Sequence, residues 1–156
     1  MAATFDEQLF SIFEKDDYLE KIDEIIERSL RIKKSVVEQD EKETSLRKVL
    51  NFGHTLGHAI EAQEKMNGLY HGECVALGML PMCSDMVKER LVSVIKKLEL
   101  PTDINLNIPE IIEALSHDKK KNGDNISAVY VEKIGSFEIR DIPFNEFAKQ
   151  LEEVKN

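Results

Sequence analysis

The stretch RKVLNFGHTLGHAIE, Arg47 to Glu61, decides how the rest of the chain is read. It holds two histidines four residues apart, each preceded by a glycine, and it ends on an acidic side chain. On a continuous helix turning about 100° per residue, Arg47, Asn51, His54, His58 and Glu61 line one stripe. Val49, Gly53, Leu56, Gly57 and Ile60 fall opposite, with Leu46 and Leu50 at the margin. The ordinary interpretation is an amphipathic helix with a wet face. A wet face favours Lys and Glu, however, whereas Asn and His are poor helix formers. Gly53 and Gly57 also weaken a helix, but they let another backbone come close. The stripe is therefore expected to face a cleft in a tightly packed bundle.

Imidazoles at i and i+4 can share one metal, as in the HExxH motif, but Thr55 stands where that motif has its glutamate. A bare HxxxH is a weak metal signal. His71, in YHGE, follows a turn that can return the chain toward the first two histidines. His117, beside a charged loop, reads as a surface residue.

Size and charge bound the remaining possibilities. A chain of 156 residues with 42% apolar content suits one domain with its own core. The formal net charge of -9 disfavours nucleic acid or an anionic membrane as a partner, because the field repels phosphates. A phosphorylated ligand would need a local cluster of Lys and Arg. No secretory leader opens the sequence, and the apolar run from Val75 to Met82 is too short to cross a bilayer. A soluble, cytoplasmic protein is expected. Cys74 and Cys83 read as reduced core residues. The opening MAATFDEQLF carries no solvated tail and resembles the interior of a domain.

Helical periodicity over Asp16 to Val37 places Leu19, Ile22, Ile26, Leu30 and Val37 on a buried stripe, with Ile25 and Val36 alongside and Lys33 in or beside it. That lysine either snorkels outward or points into a cleft. Glu38 to Ser45 reads as a loop with Ser45 as a helix cap. A helix is predicted from Leu46 to Lys65, stopped by Asn67 and Gly68. Tyr70, His71 and Gly72 form a connection to a buried helical segment over Glu73 to Leu98, which Pro81 kinks or divides. Pro109 opens a short helix through Ser116, and DKKKNGDN reads as a turn-rich loop. A hairpin is expected around Gly135, followed by a closing helix from Phe144 to Val154. The fold class is mainly α: a helical bundle with a small β-hairpin near the C-terminus.

RKVLNFGHTLGHAIE followed by HGECVALGM resembles the signature of the 3-dehydroquinate synthase family of sugar-phosphate cyclases. RIKKSVVEQDEKE upstream and DKKKNGDNISAVYVEKIG downstream resemble that family in the same order, so the likeness covers nearly the whole chain. It extends only to the C-terminal, mainly helical half. The family's Rossmann-like NAD-binding half has no counterpart here, and no Gly-rich fingerprint is found.

The resemblance implies one Zn2+ or Co2+ held by a glutamate and two histidines, which match His54 and His71. His58, the spacing-based candidate for second ligand, instead matches a residue that contacts substrate and helps move protons. The matching glutamate falls upstream of MAATFDEQLF, so weak or absent metal binding is expected of this chain. Lys33, Arg47, Asn51 and either Lys119 or Lys120 match residues that grip the substrate, 3-deoxy-D-arabino-heptulosonate 7-phosphate. Cationic groups suit its carboxylate and phosphate. The implied reaction runs through NAD-assisted oxidation, loss of phosphate, return of the hydride, ring opening and internal aldol closure. It yields 3-dehydroquinate in the shikimate pathway to aromatic amino acids. Homodimers are implied for the full-length protein, and inactivity for this piece alone. Leu56 and Cys74 depart from residues frequent in the family, and both read as packing variants.

Three rivals stand beside this assignment. Another cyclase, such as 2-deoxy-scyllo-inosose synthase, would share the architecture. A metal-dependent alcohol dehydrogenase would share the two-domain plan without needing Lys33, Arg47 and Lys119 together. The third is a non-catalytic helical binding module. DKKKNGDN also resembles a calcium loop, but Lys120 occupies a ligand position and Val129 stands where the bidentate glutamate belongs.

Overall fold

A computed structural model describes the chain apart from residues 43–44, 65–67, 103–106, 123–124 and 155–156, and apart from the side chains of residues 64, 117–122, 150 and 152–154. Two short helices, α1 (Ala2–Phe5) and α2 (Glu7–Phe13), lead through a 3-10 turn at Tyr18–Lys21 into α3 (Ile22–Gln39). A second 3-10 turn, Leu46–Asn51, precedes α4 (His54–Glu64), α5 (His71–Met79), α6 (Asp85–Lys97) and α7 (Ile108–Asn122). Strands β1 (Asn125–Tyr130) and β2 (Glu138–Pro143) pair antiparallel, Asn125 opposite Pro143, and α8 (Phe144–Val154) closes the chain. The predicted fold class, hairpin and closing helix are all present.

The backbones of α4 and α5 come into close contact. A Cβ on Gly78 would fall 2.2 Å from the Gly53 carbonyl oxygen and 2.8 Å from the Gly57 nitrogen. One on Gly57 would fall 2.9 Å from the Val75 Cα, and one on Gly53 would fall 2.6 Å from both the Val75 oxygen and Met79 Cγ. Only hydrogen fits at these three positions, so the backbones touch directly. Leu56, Ile60, Cys74 and Leu77 flank the seam and are buried. Cys74 and Cys83 are buried and form no disulfide, and burial pushes the Cys83 thiol up to about 12. Such thiols behave as packing groups rather than nucleophiles.

The helix predicted over Leu46 to Lys65 is broken. Its first six residues wind as a 3-10 turn, and Gly53, at φ +80°, reorients the chain before α4 begins. Ser45 makes no side-chain cap. The buried Asp40 carboxylate instead accepts hydrogen bonds from the backbone nitrogens of Ser45 at 2.8 Å and Arg47 at 2.9 Å. His71 is not in a connection but is the first residue of α5, where Glu73 accepts from the Tyr70 backbone nitrogen at 2.7 Å. Pro81 does divide the following segment, and Cys83 there pairs with Val131 beyond β1.

Two further expectations are corrected. Helix α7 does not stop at Ser116 but runs through most of DKKKNGDN to Asn122, so Lys119 and Lys120 lie on helical backbone. The stripe expected to be buried on α3 faces outward: Leu19, Ile22, Ile26 and Leu30 are 64, 44, 49 and 61% exposed. The apolar stripe of the helix is broad, and this chain covers only the flank with Ile25 and Val36, against Leu9, Ile12 and the main core. Lys33, close to the outward stripe, is exposed as well.

The chain start packs against the hairpin. The Gly135 nitrogen donates to the Ala3 oxygen at 2.9 Å, and the Phe5 and Phe137 rings lie 5.0 Å apart. Arg90 of α6 reaches Glu14 through Nε at 2.7 Å and Nη2 at 2.9 Å, a two-pronged pair that holds the Glu14 carboxyl below its ordinary range.

Gly78→Ala is expected to destabilise the chain by about 3 kcal/mol, because neither contacting backbone atom can retreat. Gly72→Ala, whose Cβ would meet nothing within 4 Å, is the control and should be neutral or slightly stabilising. Urea denaturation midpoints of the two variants check this.

Candidate metal and substrate cleft

The glycine seam determines where the histidines stand. His54 opens α4, His58 lies one turn later, and His71 opens α5. The two backbones run in opposite senses, Gly53 against Gly78 and Gly57 against Val75, which sets His71 beside Glu61 two turns into α4, and the three rings converge across the pair. Ring centroids are 5.6 Å apart for His54 and His58, 5.5 Å for His54 and His71, and 5.6 Å for His58 and His71. The triangle of ring centroids is nearly equilateral.

Glu61, one turn beyond His58, adds a carboxylate, and its Oε2 lies 3.0 Å from His71 Nδ1. Ligand atoms of His58, Glu61 and His71 all fall within 4.8 Å of one another. Two imidazoles and a carboxylate are a donor set suited to zinc or cobalt, so the residues present fit such an ion. Among the described residues this is the one such cluster. His54 is more enclosed than the other two rings, with Nδ1 3.4 Å from the Phe52 oxygen. Burial, aided by the neighbouring imidazoles, holds it below its ordinary pKa despite that carbonyl. A neutral ring is the form that binds metal.

Beside the triangle an open cleft of about 930 Å³ runs between the start of α4, α7 and the hairpin. Its walls include Lys48, Asn51, His54, Thr55, His58 and Ser127. Thus Asn51, His54 and His58, placed on one stripe by sequence, do share a wall. Arg47 and Lys33 are not among the described lining residues: the Arg47 guanidinium donates to the Glu41 oxygen at 3.1 Å, and Lys33 is exposed on α3. The side chains of Lys119 and Lys120 lie outside the described residues.

Lys48 was missed, and the reason is geometric. At 100° per residue it leaves the stripe, but the segment is a 3-10 turn, where i and i+3 eclipse, so Lys48 stands over Asn51. Glu61 was on the predicted stripe without a role. Its distance from His71 depends on the close approach of α5, which no local pattern reports.

The 3-dehydroquinate synthase C-terminal family matches residues 1–121. The chain belongs to that family. A 3-dehydroquinate synthase from Campylobacter concisus is 37% identical over 99% of this chain and 48% of its own length. One from Geotalea uraniireducens is 42% identical over 75% of this chain and 35% of its own. The chain thus spans about half, or less, of the curated relatives it matches. Among solved structures, 2-epi-5-epi-valiolone synthase from Streptomyces hygroscopicus subsp. jinggangensis, with NAD+ and Zn2+ bound, aligns with a TM-score of 0.78 at 18% identity. That alignment covers 99% of this chain and 48% of the other. A 2-deoxy-scyllo-inosose synthase, complexed with carbaglucose-6-phosphate, NAD+ and Co2+, aligns at 0.69 and 21% identity over 86% of this chain and 41% of the other. At such identities the likeness carries the fold, which is that of the sugar-phosphate cyclases.

An NMR titration of the metal-free chain is expected to place the His54 midpoint below the ordinary 6.5. With its folded value below the unfolded one, His54 supports stability above about pH 6.5 and loses that support as pH falls toward the folded value. His54→Gln should flatten the acid side of the stability profile; a His54 midpoint at or above 6.5 would contradict the assignment.

Proposed function

We propose that this chain is the metal- and substrate-binding domain of a 3-dehydroquinate synthase, acting with an NAD-binding half on 3-deoxy-D-arabino-heptulosonate 7-phosphate. The observation that carries this is the convergence of three imidazoles on the edge of a cleft lined by Lys48 and Asn51. Curated relatives of that name, at 37 and 42% identity, support the choice of reaction.

His54 and His71 hold the cation, Zn2+ or Co2+, through neutral imidazoles. The NAD- and metal-bound structural neighbours support these cofactors. When bound, the ion supplies Lewis acidity at the hydroxyl to be oxidised. His58, exposed on the same wall, exchanges a proton with the substrate at an imidazole nitrogen. Asn51 donates to a substrate hydroxyl through its amide. Lys48 adds positive charge within the cleft, and Lys33, Arg47 and one of Lys119 and Lys120 close on carboxylate and phosphate when the substrate and the other half are in place. NAD is carried by the partner half and regenerated in each cycle. The full protein works as a homodimer in the cytoplasm, in the shikimate pathway, and the isolated domain is inactive because oxidation needs the nicotinamide.

Phosphate release from the heptulosonate phosphate, measured with this chain and a separately produced NAD-binding half, tests the proposal. Turnover is expected only with both halves, and His54→Ala should reduce it to background. Turnover of a hexose 6-phosphate instead would favour the 2-deoxy-scyllo-inosose synthase alternative. Turnover indifferent to His54→Ala would contradict the metal assignment.

A further inference from the structure

A ring that is to donate from Nε2 must carry its proton on Nδ1, yet neutral imidazole in water prefers the opposite tautomer. His71 is about half exposed, with a side-chain accessibility of 49%, so packing alone does not settle its rotamer or its proton. Glu61 Oε2 lies 3.0 Å from His71 Nδ1, within reach of both. The carboxylate belongs to α4 and the imidazole to the first residue of α5, so the contact spans the glycine seam.

We propose that Glu61 is a positioning residue for His71, accepting the Nδ1 hydrogen so that the Nε2 lone pair points toward His54 and the cation between them. The inference rests on the assignment of His71 as a metal-holding residue. Glu61 is itself held in place. It sits inside the regular turn of α4, between the buried Ala59 and Ile60 and the half-buried Gln63, so its backbone does not move independently of the core. A carboxylate hydrogen-bonded behind a ligating imidazole generally fixes its ring orientation and strengthens it as a donor. The competing role is direct ligation by Glu61 together with His58 and His71, whose ligand atoms lie within 4.8 Å of one another.

Two measurements on the 156-residue chain separate these roles. In the metal-free chain, nitrogen-15 spectra of the ring should show His71 as the Nδ1–H tautomer, reverting to mainly Nε2–H in Glu61→Ala. This readout does not depend on whether a cation binds. In a Co2+ titration, Glu61→Gln should weaken binding roughly 10- to 100-fold while leaving the visible spectrum at saturation unchanged in shape. An Nε2–H tautomer in the unmodified chain overturns the proposal, as does a Glu61→Gln spectrum of altered shape, which marks a lost ligand. Unchanged Co2+ affinity in Glu61→Gln also overturns it. A His71→Ala variant that keeps full Co2+ affinity, by contrast, overturns the assignment of His71 itself.

Discussion

Backbone contact between α4 and α5, at Gly53, Gly57 and Gly78, governs the arrangement of everything functional in this chain. Helix pairs separated by ordinary side chains stand 8–10 Å apart. Here no side chain intervenes, and the first residue of α5 is drawn to within one ring of the first turn of α4. The three histidines need no dedicated scaffold of their own. They converge across a helix pair locked by missing Cβ atoms and by the buried flanks Leu56, Ile60, Cys74 and Leu77.

The seam also decides charge. A chain with a formal net charge of -9 is a poor general host for an anionic substrate, so recognition has to be local. Lys48 is brought into the cleft by the 3-10 turn, and burial where the turn gives way to α4 holds His54 below its ordinary pKa. Asp40 holds this turn by capping Ser45 and Arg47 from the end of α3, which links the position of the cleft wall to the long helix behind it.

Much of this was legible in the sequence because it depends on local pattern. The cleft-facing trio Asn51, His54 and His58 followed from spacing, the close helix approach from Gly53 and Gly57, and the division of the buried segment from Pro81. What failed had non-local causes. The break at Gly53 depends on a backbone angle that periodicity does not encode, so Arg47 was placed on the stripe and Lys48 off it. Helix α3 has a broad apolar stripe, and a pattern alone does not say which part of it the chain covers; Ile25 and Val36, at its flank, are buried, while Leu19, Ile26 and Leu30 are exposed. The pairing of Glu61 with His71 joins residues on separate helices and emerges only when those helices meet. The resemblance to 3-dehydroquinate synthases named His54 and His71 where spacing alone favoured His54 and His58.

The apolar face of α3 with Leu19, Ile26 and Leu30 points outward, and the chain spans about half the length of the curated relatives it matches. The central claim is that the α4–α5 seam makes His54 and His71 into one cation-binding pair. Anomalous diffraction at the zinc edge, from crystals of the chain grown with millimolar zinc, addresses it most directly. The account predicts one peak held by the rings of His54 and His71. A peak held by other side chains, or rings of these two residues turned to separate surfaces, would contradict it.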